Sequence, residues 1–172
     1  MNRSVKPIVG ISCGDPNGIG LEVLLKSLNN PSIKELIIPV VFCDFEIIEF
    51  QNNYFNIKLK LNRLKKNQSP KSNHVNVIDI KEKGFNVEFG NVTKHAGLIA
   101  FNSLKHTSAA LKDGNVDFMV TAPINKNNIQ SKEFDFPGHT DYLTNFFDGE
   151  GLMFMISEDL KVGLLTDHVP LN

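Results

Sequence analysis

Three short segments of the chain gather residues whose types and spacing could do chemistry. Gly14-Asp15-Pro16-Asn17-Gly18-Ile19-Gly20 follows an apolar stretch and precedes one with leucines at helical spacing. A glycine-rich loop at the carboxyl end of a strand can turn backbone N–H groups toward an anion. Its spacing, GxxxGxG, matches neither the dinucleotide fingerprint nor the P-loop, and no Lys-Ser/Thr pair follows Gly20. A tight turn whose glycines serve only backbone geometry and helix packing accounts for the same residues. In Pro137-Gly138-His139-Thr140-Asp141, Thr140 or Asp141 is placed to cap a following helix. The N–H groups there, with the His139 side chain, could hold a phosphate, so a small phosphorylated substrate is the natural ligand class. An ordinary capped helix with a surface histidine is the alternative. In Thr166-Asp167-His168-Val169-Pro170, His168 ends an apolar stretch and could be a metal ligand or a general base. No second ligand stands at the short spacing that local metal motifs use. Asn125 and Lys126 could contact an anionic ligand, whereas His74, His95 and His106 fit surface roles.

These segments need elements to position them. Pro7 to Cys13 reads as a buried strand, and Leu21, Leu24, Leu25 and Leu28 as a helix stopped at Asn29-Asn30-Pro31. Leu36 to Cys43 repeats the strand pattern, with Asp44 capping a short helix through Phe50. Ile57, Leu59 and Leu61 alternate like an exposed strand, and Lys65 to Asn73 is a polar loop. Val75 to Ile80 reads as a strand, and Phe85 to Phe89 as a short edge or hairpin strand. A long helix follows, with Val92, Ala96, Ile99, Ala100, Leu104 and Leu111 along one face up to Asp113-Gly114. Val116 to Thr121 is a further strand, and Leu152 to Ile156 and Leu160 to Leu165 are two neighbouring strands joined through Ser157-Glu158-Asp159. Alternating strands and helices predict an α/β fold: a mixed, largely parallel sheet flanked by helices.

With 172 residues and 41% hydrophobic residues the chain can build an ordinary core. Its 18 Lys+Arg against 19 Asp+Glu leave a net charge of −1, so no basic field draws nucleic acid or an anionic membrane. No apolar run approaches the roughly 20 residues of a membrane span, and the apolar run near the N-terminus is broken too early for a signal-peptide core. Cys13 and Cys43 are too few for a disulfide framework and sit in strand-like runs, which fits buried thiols and a cytoplasmic setting. The last strand runs into Asn172, where an α/β protein would start a further loop and helix, so the sequence reads as a fragment.

Together, VGISCGDPNGIGLEVLLKSL, DFMVTAPINK, FPGHTDYL and LLTDHVPL resemble, in order and separation, the 4-hydroxythreonine-4-phosphate dehydrogenase family of vitamin B6 biosynthesis. The resemblance implies the N-terminal half of a dehydrogenase that uses NAD to oxidise the C3 hydroxyl of 4-phosphohydroxy-L-threonine. The resulting β-keto acid loses CO2 to give 3-amino-2-oxopropyl phosphate. It implies a fold similar to isocitrate and isopropylmalate dehydrogenases, here a first α/β domain over 1–120 and the truncated start of a second over 121–172, and a homodimer. Carried over by position, His139 and Thr140 are substrate-binding, and His168 is the first of three histidine ligands of a catalytic divalent metal (Zn, Mg or Co). The other two ligands and most of the NAD-contacting surface lie beyond this sequence, so the 172 residues alone are expected to be inactive. Leu21 stands where the family commonly has Pro, and Asp167 where Thr is frequent. Rival readings are a dehydrogenase for a related phosphorylated hydroxy acid, such as a phospho-threonate, and a non-catalytic module binding a phosphorylated metabolite.

Overall fold

The computed structural model describes residues 6–65, 68–82 and 84–164. Two compact units divide the chain between Asp135 and Phe136. In the first, β1 (Ile8–Ser12), β2 (Ile38–Phe42), β3 (Leu61–Arg63), β4 (Val75–Ile78) and β5 (Phe118–Thr121) form one parallel sheet in the order β3-β4-β2-β1-β5. Helices α1 (Gly20–Leu28), α2 (Pro31–Leu36), α3 (Phe45–Tyr54) and α4 (Lys94–Lys112) connect and cover it. The second unit holds α5 (His139–Phe147) and the antiparallel pair β6 (Phe154–Ile156) and β7 (Lys161–Gly163), whose residues are all exposed. The expected α/β architecture is therefore present. The segment between Thr121 and Asp135, assigned by sequence to a second domain, belongs to the first compact unit.

Side-chain alternation along the strands explains the layering. Val9 and Ile11 of β1, Val41 of β2 and Val75 and Val77 of β4 share one buried cluster with Leu21, Leu25 and Leu28 of α1 and Ile47 and Ile48 of α3. Val40 and Phe42 cluster instead with Ala110 at the end of α4 and with Val116. The β1–α4 contact is close because Gly10 has no side chain: a Cβ would lie 3.2 Å from Thr107 Cγ2 of α4. Both cysteines are free and fully buried, as their strand positions predict.

Several elements differ from the sequence reading. Pro31 starts α2 rather than only stopping α1, since its missing N–H is no loss in a first turn and Asn30 caps the helix by accepting from Ser32 N at 3.0 Å. Helix α3 runs on to Tyr54. Ile57 and Leu59 are buried, not exposed, and Leu59 N donates to Asn52 Oδ1 at 2.9 Å in place of a strand partner. Residues 85–89 form no strand; Glu88 N donates instead to Asn17 Oδ1 at 2.8 Å. Helix α4 begins at Lys94 under a Thr93 cap, which leaves Val92 outside it and exposed. Helix α5 starts one residue before the expected caps, with Gly138 at the N-cap and Tyr142 N donating to its carbonyl at 3.3 Å.

Candidate active site

The glycine-rich loop after β1 is held rigidly from below. Gly14 has φ +64°, and a Cβ there would be driven into the Pro123 carbonyl oxygen, so only glycine lets the two loops close on each other. Asp15 N donates to that same oxygen at 3.0 Å. The buried Asp15 carboxylate accepts from Asn17 N at 2.9 Å and from Asn128 Nδ2 at 2.8 Å. Asn17, also buried, donates to Asn91 O at 3.0 Å, and its own carbonyl accepts from Gly90 N at 2.9 Å. Gln51 of α3 donates to Pro16 O at 2.8 Å. Asn128 Nδ2 also donates to Thr93 O at 3.0 Å, joining the start of α4 to the loop after β5. Gly97 permits that junction, because a Cβ on it would collide with the Asn128 carbonyl.

This network frames a cleft of about 200 Å³ at the carboxyl ends of β1 and β5, lined among others by Asp15, Asn17, Gly18, Gly20, Asn91 and Asn125. Helix α1 begins at its rim with Ile19 at the N-cap, a residue that gives no side-chain cap. Of the pair predicted to meet an anion, Asn125 lines the cleft and its Oδ1 accepts from Asn127 N at 2.9 Å, whereas Lys126 is exposed and is not among the lining residues. Asn128, Thr93 and Gln51 were not singled out by sequence, because their roles come from long-range contacts that no local motif encodes.

In the second unit, His139 and Thr140 occupy the first turn of α5. Gly138 brings no capping side chain, so the positive end of the helix is left to the backbone. Tyr142, one turn on, is buried and meets Phe136 edge-on at 5.6 Å and Phe146 stacked at 5.8 Å, which fixes the helix under the pair. Asp141 in the same turn sets a negative charge beside any anion bound there. His168 lies outside the described residues. His95 packs edge-on against Phe85 at 5.2 Å, and His74 Nδ1 lies 3.0 Å from Ser72 O.

A third cluster, not anticipated from sequence, sits at the carboxyl ends of β2 and β4. Asp44, Glu46 and Asp79 each bring a carboxylate oxygen to within 4.8 Å of the others beside a cavity of about 380 Å³. Arg63 already compensates two of them, at 2.6 Å from Glu46 and 3.3 Å from Asp79. That hydrogen bond holds the Glu46 carboxyl below its ordinary range. Burial, followed by the neighbouring Asp79 carboxyl, pushes Asp44 up to about 7, against a 2.8 Å hydrogen bond from Glu82 N. Strand-end position was the available signal for Asp44 and Asp79. Carboxylates engaged by a guanidinium and a backbone N–H do not fit the imidazole metal centre that the resemblance implies, and among the described residues no other group of three candidate ligands converges. The 200 Å³ cleft is likewise smaller than the roughly 300–1,000 Å³ of small-molecule sites, too little for a whole dinucleotide.

A family profile described as "Pyridoxal phosphate biosynthetic protein PdxA" matches residues 35–172. The chain belongs to the PdxA family. A 4-hydroxythreonine-4-phosphate dehydrogenase of Bacteroides thetaiotaomicron is 32% identical over 166 residues, covering 95% of this chain and 46% of the relative. A Clostridium botulinum relative provisionally named D-threonate 4-phosphate dehydrogenase is 33% identical over 175 residues, covering 97% of this chain and 51% of its own. Among solved structures, the 4-hydroxythreonine-4-phosphate dehydrogenase of Burkholderia phymatum superimposes with a TM-score of 0.86 at 26% identity, over 97% of this chain and 52% of that one. The chain thus spans about half the length of the PdxA-family relatives it matches. Those relatives are dehydrogenases by name. Among the described residues no helix is long and apolar enough to cross a membrane.

Proposed function

We propose that this chain is the N-terminal half of a dehydrogenase that oxidises the C3 hydroxyl of 4-phosphohydroxy-L-threonine with NAD and releases 3-amino-2-oxopropyl phosphate after decarboxylation. The intact enzyme is a cytoplasmic homodimer using a divalent metal. Membership of the PdxA family carries the reading, and the first turn of α5 adds a physical role for the two substrate residues. A phosphate dianion is attracted to an N-terminus whose cap residue has no side chain. Thr140 Oγ1 and a ring N–H of His139 donate to its oxygens, and Tyr142 in its aromatic pocket keeps the turn in place. NAD and the divalent metal are what the resemblance implies for the intact enzyme.

A phosphorylated threonate is the second reading, favoured by the Clostridium relative. Both compounds end in phosphate, so the turn serves either. They differ at C2, ammonium in one and hydroxyl in the other, and only an acceptor near C2 selects between them.

Calorimetric titration of the chain with 4-phosphohydroxy-L-threonine, D-threonate 4-phosphate and unphosphorylated threonine tests the proposal. Heat is expected with the phosphorylated compounds only. His139→Ala and Thr140→Val should each weaken binding about tenfold, the value of one hydrogen bond to a charged group. Equal binding of threonine, or unchanged affinity in both variants, would overturn it.

A further inference from the structure

Cys13 and Cys43 stand side by side at the carboxyl ends of β1 and β2. The parallel register sets Ser12 beside Phe42, so the next residues along the two strands are neighbours as well. Both thiols face the same side of the sheet, in the buried cluster with Leu21 of α1 and Ile47 and Ile48 of α3, and neither is exposed to solvent. Their proximity is felt in the ionisation of Cys43, which burial pushes up first and the Cys13 thiol beside it pushes up further. Neither cysteine belongs to the α5 turn or lines the cleft at the ends of β1 and β5.

Neighbouring strands lie about 4.8 Å apart, inside the roughly 4.4–6.8 Å between Cα atoms that a disulfide spans but short of its preferred spacing of about 5.5–6 Å. A bond between the two sulfurs can therefore form within the fold, and it spreads the strand ends by up to about 1 Å. That spread reaches the glycine-rich loop at its root. Cys13 is followed by Gly14, whose φ of +64° lays it against the Pro123 carbonyl. Cys13 Sγ donates to Gly14 O at 3.4 Å, a contact that a disulfide removes together with the S–H. Cys43 is followed by Asp44, the N-cap of α3.

From these observations we infer that Cys13 and Cys43 are a redox-sensitive pair, which closes to an intrachain disulfide under peroxide and loosens the glycine-rich loop when it does. One thiolate attacks a peroxide oxygen and becomes a sulfenic acid as the O–O bond breaks; the departing hydroxide takes up the thiol's proton as water. The second thiol then displaces water from the sulfenic sulfur, so two thiols are oxidised while one peroxide is reduced to two waters. The thiolate is the reactive form and both groups are buried, so the pair stays reduced while the adjoining loop is closed and reacts when it opens. A strained disulfide is readily reduced again, as redox-sensing disulfides of reducing compartments are.

The test treats the 172-residue chain with hydrogen peroxide, blocks remaining thiols under denaturing conditions and reads the mass. The expected product is a monomer that has lost two hydrogen atoms at its cysteines, yields a Cys13–Cys43 cross-linked peptide on proteolysis, and returns to the parent with dithiothreitol. In the oxidised chain, hydrogen exchange at the Asp15 and Asn17 amides should be at least about threefold faster. Cys43→Ala should stop at a sulfenic acid on Cys13, trapped by dimedone. Cys13→Ala, trapped on Cys43, serves as the second variant if circular dichroism shows that Cys43→Ala does not fold. Two free thiols after treatment, sulfinic acid without a cross-link, or a disulfide between two chains overturns the inference. So does a cross-linked chain whose loop exchanges no faster than the parent's. Neither readout involves phosphate, so this result and the titration fail independently.

Discussion

Asp44 gives up its proton late because the residue is buried and its carboxyl lies beside Asp79, with Glu46 a weaker influence. Arg63 pairs with Glu46 and Asp79. In the unfolded chain the same carboxyl titrates near its ordinary 3.8, and in the folded protein near 7. The folded state therefore holds more protons between these values, and stability falls as pH rises through that window. Below it the penalty is absent; above about pH 7 it is complete. Asp44→Asn removes the ionisation while leaving an amide oxygen to accept from Glu82 N. The variant should match the parent near pH 4 and exceed it at pH 8 by on the order of 2 kcal/mol, read from urea unfolding at the two pH values. A parent whose stability rises from pH 4 to pH 8 relative to the variant would overturn the raised titration of Asp44.

At the scale of elements, what local chemistry dictates could be read in advance and what long-range contacts dictate could not. Helix α4 was legible because Ala96, Ile99, Ala100 and Leu104 repeat at helical spacing and a threonine caps it. Strands β1 and β2 were legible as short, mostly apolar runs rich in β-branched residues, as parallel strands covered on both faces usually are. Residues 85–89 alternate as a strand would, but the Asn17 side chain claims the Glu88 N–H, so no ladder forms. Ile57 and Leu59 misled in the same way, since Asn52 supplies the partner that a neighbouring strand would have given. Asn17 is thus the tie among the glycine-rich loop, residues 88–91 and the start of α4. Asn17→Ala strips partners from the Glu88 N–H and the Asn91 carbonyl. The expected cost is about 2 to 3 kcal/mol, seen as a lower urea midpoint at unchanged m-value. A loss below half a kcal/mol would mean that the loop stands without it.

Considered as a whole molecule, the chain carries the α5 turn proposed to meet a phosphate and the cleft at the ends of β1 and β5, and among the described residues no group of histidines forms the donor set that the proposed oxidation needs. The motif order in the sequence made the family legible, because four segments must match together. The proposed metal centre has its one expected ligand in this sequence at His168, which lies outside the described residues. Of the remaining histidines, His139 is assigned to the phosphate, and His74, His95 and His106 belong to the first unit, where His95 packs on Phe85 and His106 is exposed. None of these three approaches a second histidine or a carboxylate closely enough to make a three-ligand group. A single imidazole binds a divalent ion weakly, and tight sites need three or four protein ligands at fixed geometry. The 172-residue chain, supplied with NAD, 4-phosphohydroxy-L-threonine and Zn, Mg or Co, should therefore produce no NADH above the protein-free rate. It should still bind the phosphorylated substrate through α5. NADH formation that disappears in His168→Ala would show that this chain assembles a working centre from its own residues, and the division of the site between two halves would have to be abandoned.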